Sequence, residues 1–200
     1  MIKNIIFDLG NVLTNFDPMA YVSSKISDKE KCRNVYEEIF KSKEWTMLDR
    51  GIITEREAVN AICSRNVQDD KYIRLVMNNW YELLTPIEGT VEILKKLHSN
   101  GYKNYILSNY HMTAYRSVTK RFNFFSCFDG GVISYMEKLL KPERNIYYKL
   151  IEKYGIEPSK SVFIDDSAEN IESAEQIGFE TILFVDPADL RKRLNKYGVL

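Results

Sequence analysis

The 200-residue chain is short of several things, and each shortage closes off a class of protein. It has three cysteines, Cys32, Cys63 and Cys127, odd in number and far apart, with no CxxC and no Cys/His ligand spacing. That pattern fits neither a disulfide framework nor a zinc site, and free thiols in a reducing compartment are expected. No apolar run approaches the ~18 residues of a membrane span. The N-terminus has Lys3 and then a short apolar strand, without the long apolar segment and small-residue cleavage site of a secretory signal. A cytoplasmic protein with no membrane partner is expected. Neither charge is in surplus: Lys+Arg and Asp+Glu both number 28. A general nucleic-acid binder is disfavoured, because its basic face usually shows in the totals. Repeats and low-complexity tracts are also missing.

What is present is ordinary for a globular protein, with 44% hydrophobic and 28% charged residues. A chain of this size can bury roughly 70% of its unfolded surface, so a real core is available. Short apolar runs end in polar residues: "NIIFD" at Asp8, "KNYILSN" at Asn109, "GGVIS" at Ser134, "SVFIDD" at Asp166 and "ETILFV" at Val185. Such runs suit strands buried on both faces. Amphipathic stretches lie between them, stopping at Gly101, Gly155 and Gly178, with Ser167 expected as an N-cap. Alternation of this kind predicts an α/β fold with a doubly wound, Rossmann-like parallel sheet. The stretch from about Pro18 to Leu84 has helical segments and no strand signal, too much for one crossover. An inserted α-helical cap subdomain over 17–84 is expected, with the core domain formed by 1–16 and 85–200.

In open α/β sheets, ligands bind beyond the carboxyl ends of the strands. Those ends carry Asp8, Ser108 with Asn109, and the pair Asp165 and Asp166, while Lys141 lies in the loop "LLKPERN". A lone carboxylate, a hydroxyl, an amide, an ammonium and two further carboxylates suit phosphoryl transfer to an aspartate. One carboxylate attacks phosphorus, others hold a divalent ion, and the remaining donors bind phosphoryl oxygens. Each residue alone has an ordinary reading as turn former, helix cap or solvated charge. Adjacent carboxylates at a buried strand end are the stronger signal, since they repel unless a cation meets them.

"FDLGNVL", "ILSN", "KPERNIY" and "FIDDSAENIESAEQIG" resemble the four successive motifs of the haloacid dehalogenase superfamily, and the helical insert resembles that family's type 1 cap. The resemblance implies Asp8 as nucleophile and metal ligand, with the Gly10 carbonyl also facing the metal. It implies Ser108 and Asn109 as phosphoryl binders, and Lys141 as the charge balance for nucleophile and phosphate. Asp166 would be the further metal ligand, supported by Asp165, and Mg²⁺ the ion. The "DLGNV" form is similar to sugar-phosphate phosphatases of the glucose-1-phosphate type, which implies a small-molecule phosphate monoester as substrate.

The sequence departs from the superfamily's commonest pattern at Gly10, where most of its phosphatases carry an aspartate acting as acid and base. Asp17 in "NFDP" and His111 are the candidates to replace it, each with an ordinary alternative as turn former or exposed loop residue. Trp45 and Arg50 of the cap would suit a sugar or anionic substrate, but the stronger reading has Trp45 packing cap helices and Arg50 pairing with solvent or an acidic neighbour; Met47 and Trp80 read as core. Two rival functions remain open at this stage. One is a catalytically weak or silent member that binds a phosphate ligand. The other is a 2-haloacid dehalogenase, a branch that also lacks the second aspartate. A receiver domain fits less well, because it places the acidic pair after its first strand.

Overall fold

A computed structural model describes all residues 1–200. The first strand, β1 (Asn4–Phe7), leads into a two-residue strand β2 (Thr14–Asn15) and a helical insert. The insert comprises α1 (Pro18–Lys25), α2 (Lys29–Phe40), α3 (Lys43–Asp49), α4 (Glu55–Arg65) and α5 (Asp70–Met77). The chain returns through β3 (Thr85–Pro86), which pairs antiparallel with β2, so this small ribbon is both exit from and entry to the core.

Then follow α6 (Glu88–Ser99), β4 (Lys103–Ser108), α7 (Met112–Arg121), β5 (Gly130–Ile133), α8 (Ser134–Glu137) and α9 (Arg144–Tyr154). The chain ends with β6 (Ser161–Asp165), α10 (Ala168–Ile177), β7 (Glu180–Leu183) and α11 (Pro187–Lys196). Five strands form one sheet in the order β5-β4-β1-β6-β7, all parallel. This is the doubly wound α/β architecture expected from the alternating pattern.

Strand periodicity divides the core. Ile5 and Phe7 point to one face and join a large cluster that includes Val91, Leu94, Leu190 and, through Leu13 and Trp80, the insert. Ile6 points to the other face, against Tyr147, Leu150, Phe163 and Ala174 beneath α9 and α10. All three β1 residues are fully buried, which is why the strand is apolar at successive positions.

Strand order also decides where a ligand can bind. From β1 the chain steps outward to β4 and β5, then crosses back to β6 on the other side of β1. The carboxyl end of β1 is therefore the switch point, where flanking connections diverge and leave a crevice. Asp8 stands there.

The expected caps at Gly155 and Gly178 are realised as left-handed residues closing α9 and α10. The Ser167 hydroxyl, expected as a cap, makes no such bond; its backbone N–H instead donates to Asp165 Oδ1 at 2.9 Å. Asp165 Oδ1 also accepts from the Asn170 side-chain amide at 2.9 Å, so this carboxylate fixes the start of α10 from outside the helix. No helix is long and apolar enough to cross a membrane, and all three cysteines are buried and free.

Candidate active site

Parallel pairing carries the chemistry to one edge. The register Phe7↔Ile106 and Phe7↔Ile164 brings Asp8 level with Asp165, and the Asp8 N–H donates to the Ile164 carbonyl at 2.9 Å. Between the two carboxylates sits Lys141, its Nζ 2.9 Å from Asp8 Oδ1 and 2.5 Å from Asp165 Oδ2. Lys141 and Asp165 are buried, and Asp8 is nearly so. Burial pushes the Asp8 carboxyl up to about 7; Lys141 opposes that shift and the Asp165 charge adds to it. Burial works against the Lys141 ammonium, yet the charges of Asp165 and Asp8 outweigh it and raise its pKa.

Asp165 and Asp166 divide their work. Both oxygens of Asp165 are engaged, Oδ2 by Lys141 and Oδ1 by the Ser167 N–H and Asn170 Nδ2, each at 2.9 Å. Asp166 is exposed and accepts from Asn11 Nδ2 at 3.1 Å. Partial burial of its carboxylate, with Asp165 alongside, raises its pKa.

Ser108, the last residue of β4, is completely buried; its hydroxyl lies close enough to Asp8 to favour the charged carboxylate but falls short of full hydrogen-bond geometry. An unmet hydroxyl at a ligand edge is a standing demand for a partner. Asn109 reads differently from the expectation of a side chain aimed at phosphate. Its Oδ1 accepts from the Lys141 N–H at 2.9 Å and its Nδ2 donates to the Lys141 carbonyl at 3.0 Å. The amide is committed to holding the lysine loop against the end of β4.

The insert supplies the opposite wall. A cleft there is lined by Gly10, Phe16, Trp45, Asp49, Trp80, Leu84, Asn109, Tyr110 and His111. Trp45 lies 4.2 Å from the His111 ring, 4.8 Å from Trp80 and 6.1 Å from Phe16, between centroids. Trp45 thus meets both expectations, packing the cap and facing the cleft. Trp80, read as core, also reaches the cleft wall, with its Nε1 donating to Glu55 at 2.9 Å.

The structure takes Arg50 and Asp17 away from the site, into the ordinary roles their sequence contexts also allow, and corrects the reading of His111 as an exposed loop residue. Arg50 does not line the cleft: its guanidinium pairs with Glu143 and donates to the Lys138 carbonyl, so its charge is spent at the cap–core seam. Asp17 is exposed and caps α1, accepting from the Ala20 N–H at 2.9 Å, because the following Pro18 starts that helix. His111 is no exposed loop residue: it is buried beneath Trp45 and Trp80, and burial pushes its pKa down to about 3.

Gly10 is not demanded by crowding either. A Cβ there would meet nothing within 4 Å, and it is Asn11 that takes the left-handed conformation, with φ 53°. Asn11 tolerates this because its Oδ1 accepts from the Phe16 N–H while its amide reaches Asp166.

The sequence reading passed over Asp49, Phe16 and Tyr110. Asp49 sits between Trp45 and Arg50, both of which had drawn attention. Its signal was an acidic residue closing a helix just before Gly51, where a cation is the usual choice.

The residues at the sheet edge fit a divalent cation. Asp8, Asp165 and Asp166 each offer a carboxylate oxygen within 4.8 Å of the others. Three carboxylates against one ammonium leave two negative charges, and no backbone N–H donates to the Gly10 carbonyl. Such a set of hard oxygens suits Mg²⁺.

A parallel sheet wound in this order, an acidic crevice at its switch point and a helical insert roofing it define a hydrolase of the haloacid dehalogenase type. The chain belongs to that family: residues 2–178 match the haloacid dehalogenase-like hydrolases. It is 25% identical to a D-ribitol-5-phosphate phosphatase of Bacteroides thetaiotaomicron over 204 residues, covering 97% of both chains. It is 26% identical to a drimenol cyclase of Aspergillus calidoustus over 202 residues, 99% of this chain but only 37% of that relative's length. Among solved structures, a HAD family enzyme of Bacteroides thetaiotaomicron in complex with magnesium and inorganic phosphate superposes with a TM-score of 0.75. It is 28% identical, with 93% of this chain and 96% of that one covered.

Proposed function

We propose that the protein is a Mg²⁺-dependent phosphatase that hydrolyses a small-molecule phosphate monoester through an aspartyl-phosphate at Asp8. The enzyme is a phosphoric monoester hydrolase, in keeping with the D-ribitol-5-phosphate phosphatase among its relatives. One observation carries this reading: the buried Lys141 ammonium, held between Asp8 and Asp165 at the switch point. The Lys141 cation works against burial to favour the anionic Asp8 that attacks phosphorus, and the same cation meets the incoming phosphate.

Ser108 and the Asn109 backbone receive the phosphoryl oxygens in this scheme, and the Asn109 amide keeps Lys141 in place. Asp8, the Gly10 carbonyl and Asp166 would hold Mg²⁺, with Asp165 fixing the lysine and the loop. When bound, the ion offsets repulsion between the Asp8 carboxylate and the phosphate dianion.

In this reading the cleft takes the leaving group. Aromatic faces of Phe16, Trp45 and Trp80 pack against the apolar face of a sugar or sugar alcohol, while Asp49 meets an oxygen of the leaving group. The aromatic wall also favours a second substrate class, an allylic or aryl phosphate without hydroxyls. A panel of sugar, polyol, aryl and prenyl phosphates, assayed for phosphate release with Mg²⁺ and with EDTA, tests the function. Hydrolysis that survives EDTA, or release of halide from 2-haloacids in its place, would overturn it, as would failure on the whole panel.

A further inference from the structure

We propose that Asp49 is the catalytic acid/base of this phosphatase, delivered by the cap to the place where Gly10 offers no carboxylate. The inference rests on the phosphate-ester reading above and names the group that protonates the leaving oxygen.

Asp49 and Gly10 line the same cleft. Asp49 is anchored there through the core, not merely through the cap. Its carbonyl accepts from the Ser134 hydroxyl, whose oxygen in turn accepts from the Tyr110 N–H at 2.9 Å. Arg50 pairs with Glu143, and the Gly51 carbonyl accepts from the Lys138 ammonium. Gly51 is itself wedged: with φ +67°, an added Cβ would stand 2.4 Å from the Tyr135 carbonyl oxygen. Three successive residues therefore stitch the end of α3 to the sheet's carboxyl edge.

Helix chemistry does not favour an acid at this position, and the one structural contact of the Asp49 carboxylate is with the buried His111. Asp49 closes α3, where the helix dipole disfavours a carboxylate, and neither a lysine nor an arginine pairs with it. Its nearest charged-type partner is His111 Nε2 at 3.3 Å. The groups facing Asp49 are Asp8 at the end of β1, Lys141 in the loop before α9, and Tyr110 and His111 after β4. Burial, with the Asp8 charge adding and Lys141 opposing, pushes the Asp49 carboxyl up to about 8. At neutral pH Asp49 therefore holds a proton, while buried His111 stays neutral and does not draw it off as an imidazolium.

In the first step an Asp8 oxygen bonds to phosphorus and the bond from phosphorus to the ester oxygen breaks. The electron pair goes to that oxygen, which takes the Asp49 proton and leaves as an alcohol. In the second step water attacks phosphorus and gives its proton to the Asp49 carboxylate. The bond from phosphorus to the Asp8 oxygen breaks, returning the Asp8 carboxylate and inorganic phosphate and resetting Asp49.

The test is a leaving-group series of 4-nitrophenyl, phenyl and 2-phenylethyl phosphates with Mg²⁺, on unmodified enzyme, Asp8→Asn and Asp49→Asn. Asp49→Asn should lose about 10²–10³-fold in kcat/KM on the alkyl ester but less than ~10-fold on the nitrophenyl ester, whose leaving group needs no proton. The unmodified enzyme should show a basic limb on the alkyl ester where Asp49 gives up the proton that burial favours, and the variant should lack it. Adding Gly10→Asp, which the open space at Gly10 admits, should recover at least ~10-fold of the lost alkyl activity.

Equal losses across the series, or none, with the basic limb intact would overturn the role of Asp49. The phosphatase reading would then still stand on an inactive Asp8→Asn. No hydrolysis of any ester by unmodified enzyme would overturn both. Should Asp49→Asn misfold by circular dichroism, the pH profiles of unmodified enzyme decide: a basic limb common to both alkyl and nitrophenyl esters would overturn the proposal.

Discussion

The two walls of the cleft are built from opposite materials. On the sheet side, Asp8, Lys141, Asp165 and Asp166 crowd charge into a few ångströms, fixed by backbone pairing and by one another. On the cap side, Phe16, Trp45, Trp80 and Leu84 form an apolar surface with a single acid, Asp49. A phosphate needs cations and oriented donors that do not move during reaction, and strand ends supply them. A leaving group needs shape, a dry surface and at most one proton, and helices inserted after β1 supply those. The sheet edge serves the half of the substrate that every phosphate ester shares; the cap serves the half that differs.

The comparison breaks most sharply at Asp8. Asp8→Asn should lower turnover by about 10⁴-fold or more while circular dichroism stays unchanged, since the swap is nearly isosteric. Appreciable hydrolysis by the pure variant would remove covalent catalysis from the sheet wall.

Metal binding should come next. Without an ion, Asp8, Asp165 and Asp166 repel across less than 4.8 Å. Mg²⁺ at a hundredfold above its Kd should stabilise the folded chain by about 2.7 kcal/mol. For a chain of this length that raises the Tm by roughly 5–10 °C. Asp166→Ala should blunt the rise most, because Asp166 is the acid least committed to protein partners. A Tm indifferent to Mg²⁺ in the unmodified protein would contradict the reading of the acidic edge.

The cap wall responds to acid differently. His111 has its pKa lowered from 6.5 to about 3 by burial, so below pH 6.5 the unfolded chain takes up a proton that the folded chain refuses. That group's contribution to stability is therefore lost as pH falls from about 6.5 towards 3. Asp49 has the opposite slope, its raised value of about 8 favouring the folded state at lower pH. Compared with the unmodified protein, His111→Phe should make the stability change from pH 7 to pH 4 more favourable to the folded state in a series of urea melts, because the opposing His111 contribution is gone. An unchanged slope would place the proton uptake elsewhere.

The smallest effect is expected at the seam between the walls. Arg50 and Glu143 are each about a third or more exposed, and such pairs contribute about 1 kcal/mol or less. Glu143→Gln should shift Tm by no more than ~4 °C and leave KM within about twofold. A large rise in KM would return Arg50 to substrate binding, against its placement in the structure.

The sheet wall could be read from the sequence because its logic is local. "NIIFD" and "SVFIDD" are buried on both faces, so their runs stay apolar until the carboxylate that leaves the sheet. The alternation of such runs with amphipathic helices then implies which ends coincide. Even there, side-chain commitments were hidden. That the Asn109 amide is spent on the Lys141 backbone, 32 residues away, and that the Ser167 hydroxyl makes no cap bond are set by the folded geometry.

Little of the cap wall was legible. Trp45, Arg50 and Asp49 sit within six residues, and nothing in that spacing says which one faces the cleft. Composition and hydrophobic pattern by themselves determined an α/β sheet with a helical insert after β1, and an acidic, cation-seeking edge. Tertiary structure decided the rest: Arg50 turned to Glu143, Asp17 to the N-terminus of α1, His111 buried under two indoles, and Asp49 pinned by Ser134 into the cleft. The physical reason is range. Strand burial and helix capping act between neighbours in the chain. The orientation of the cap is set by contacts spanning 85 to 93 residues, such as Ser134 with Asp49 and Arg50 with Glu143, which no local pattern encodes.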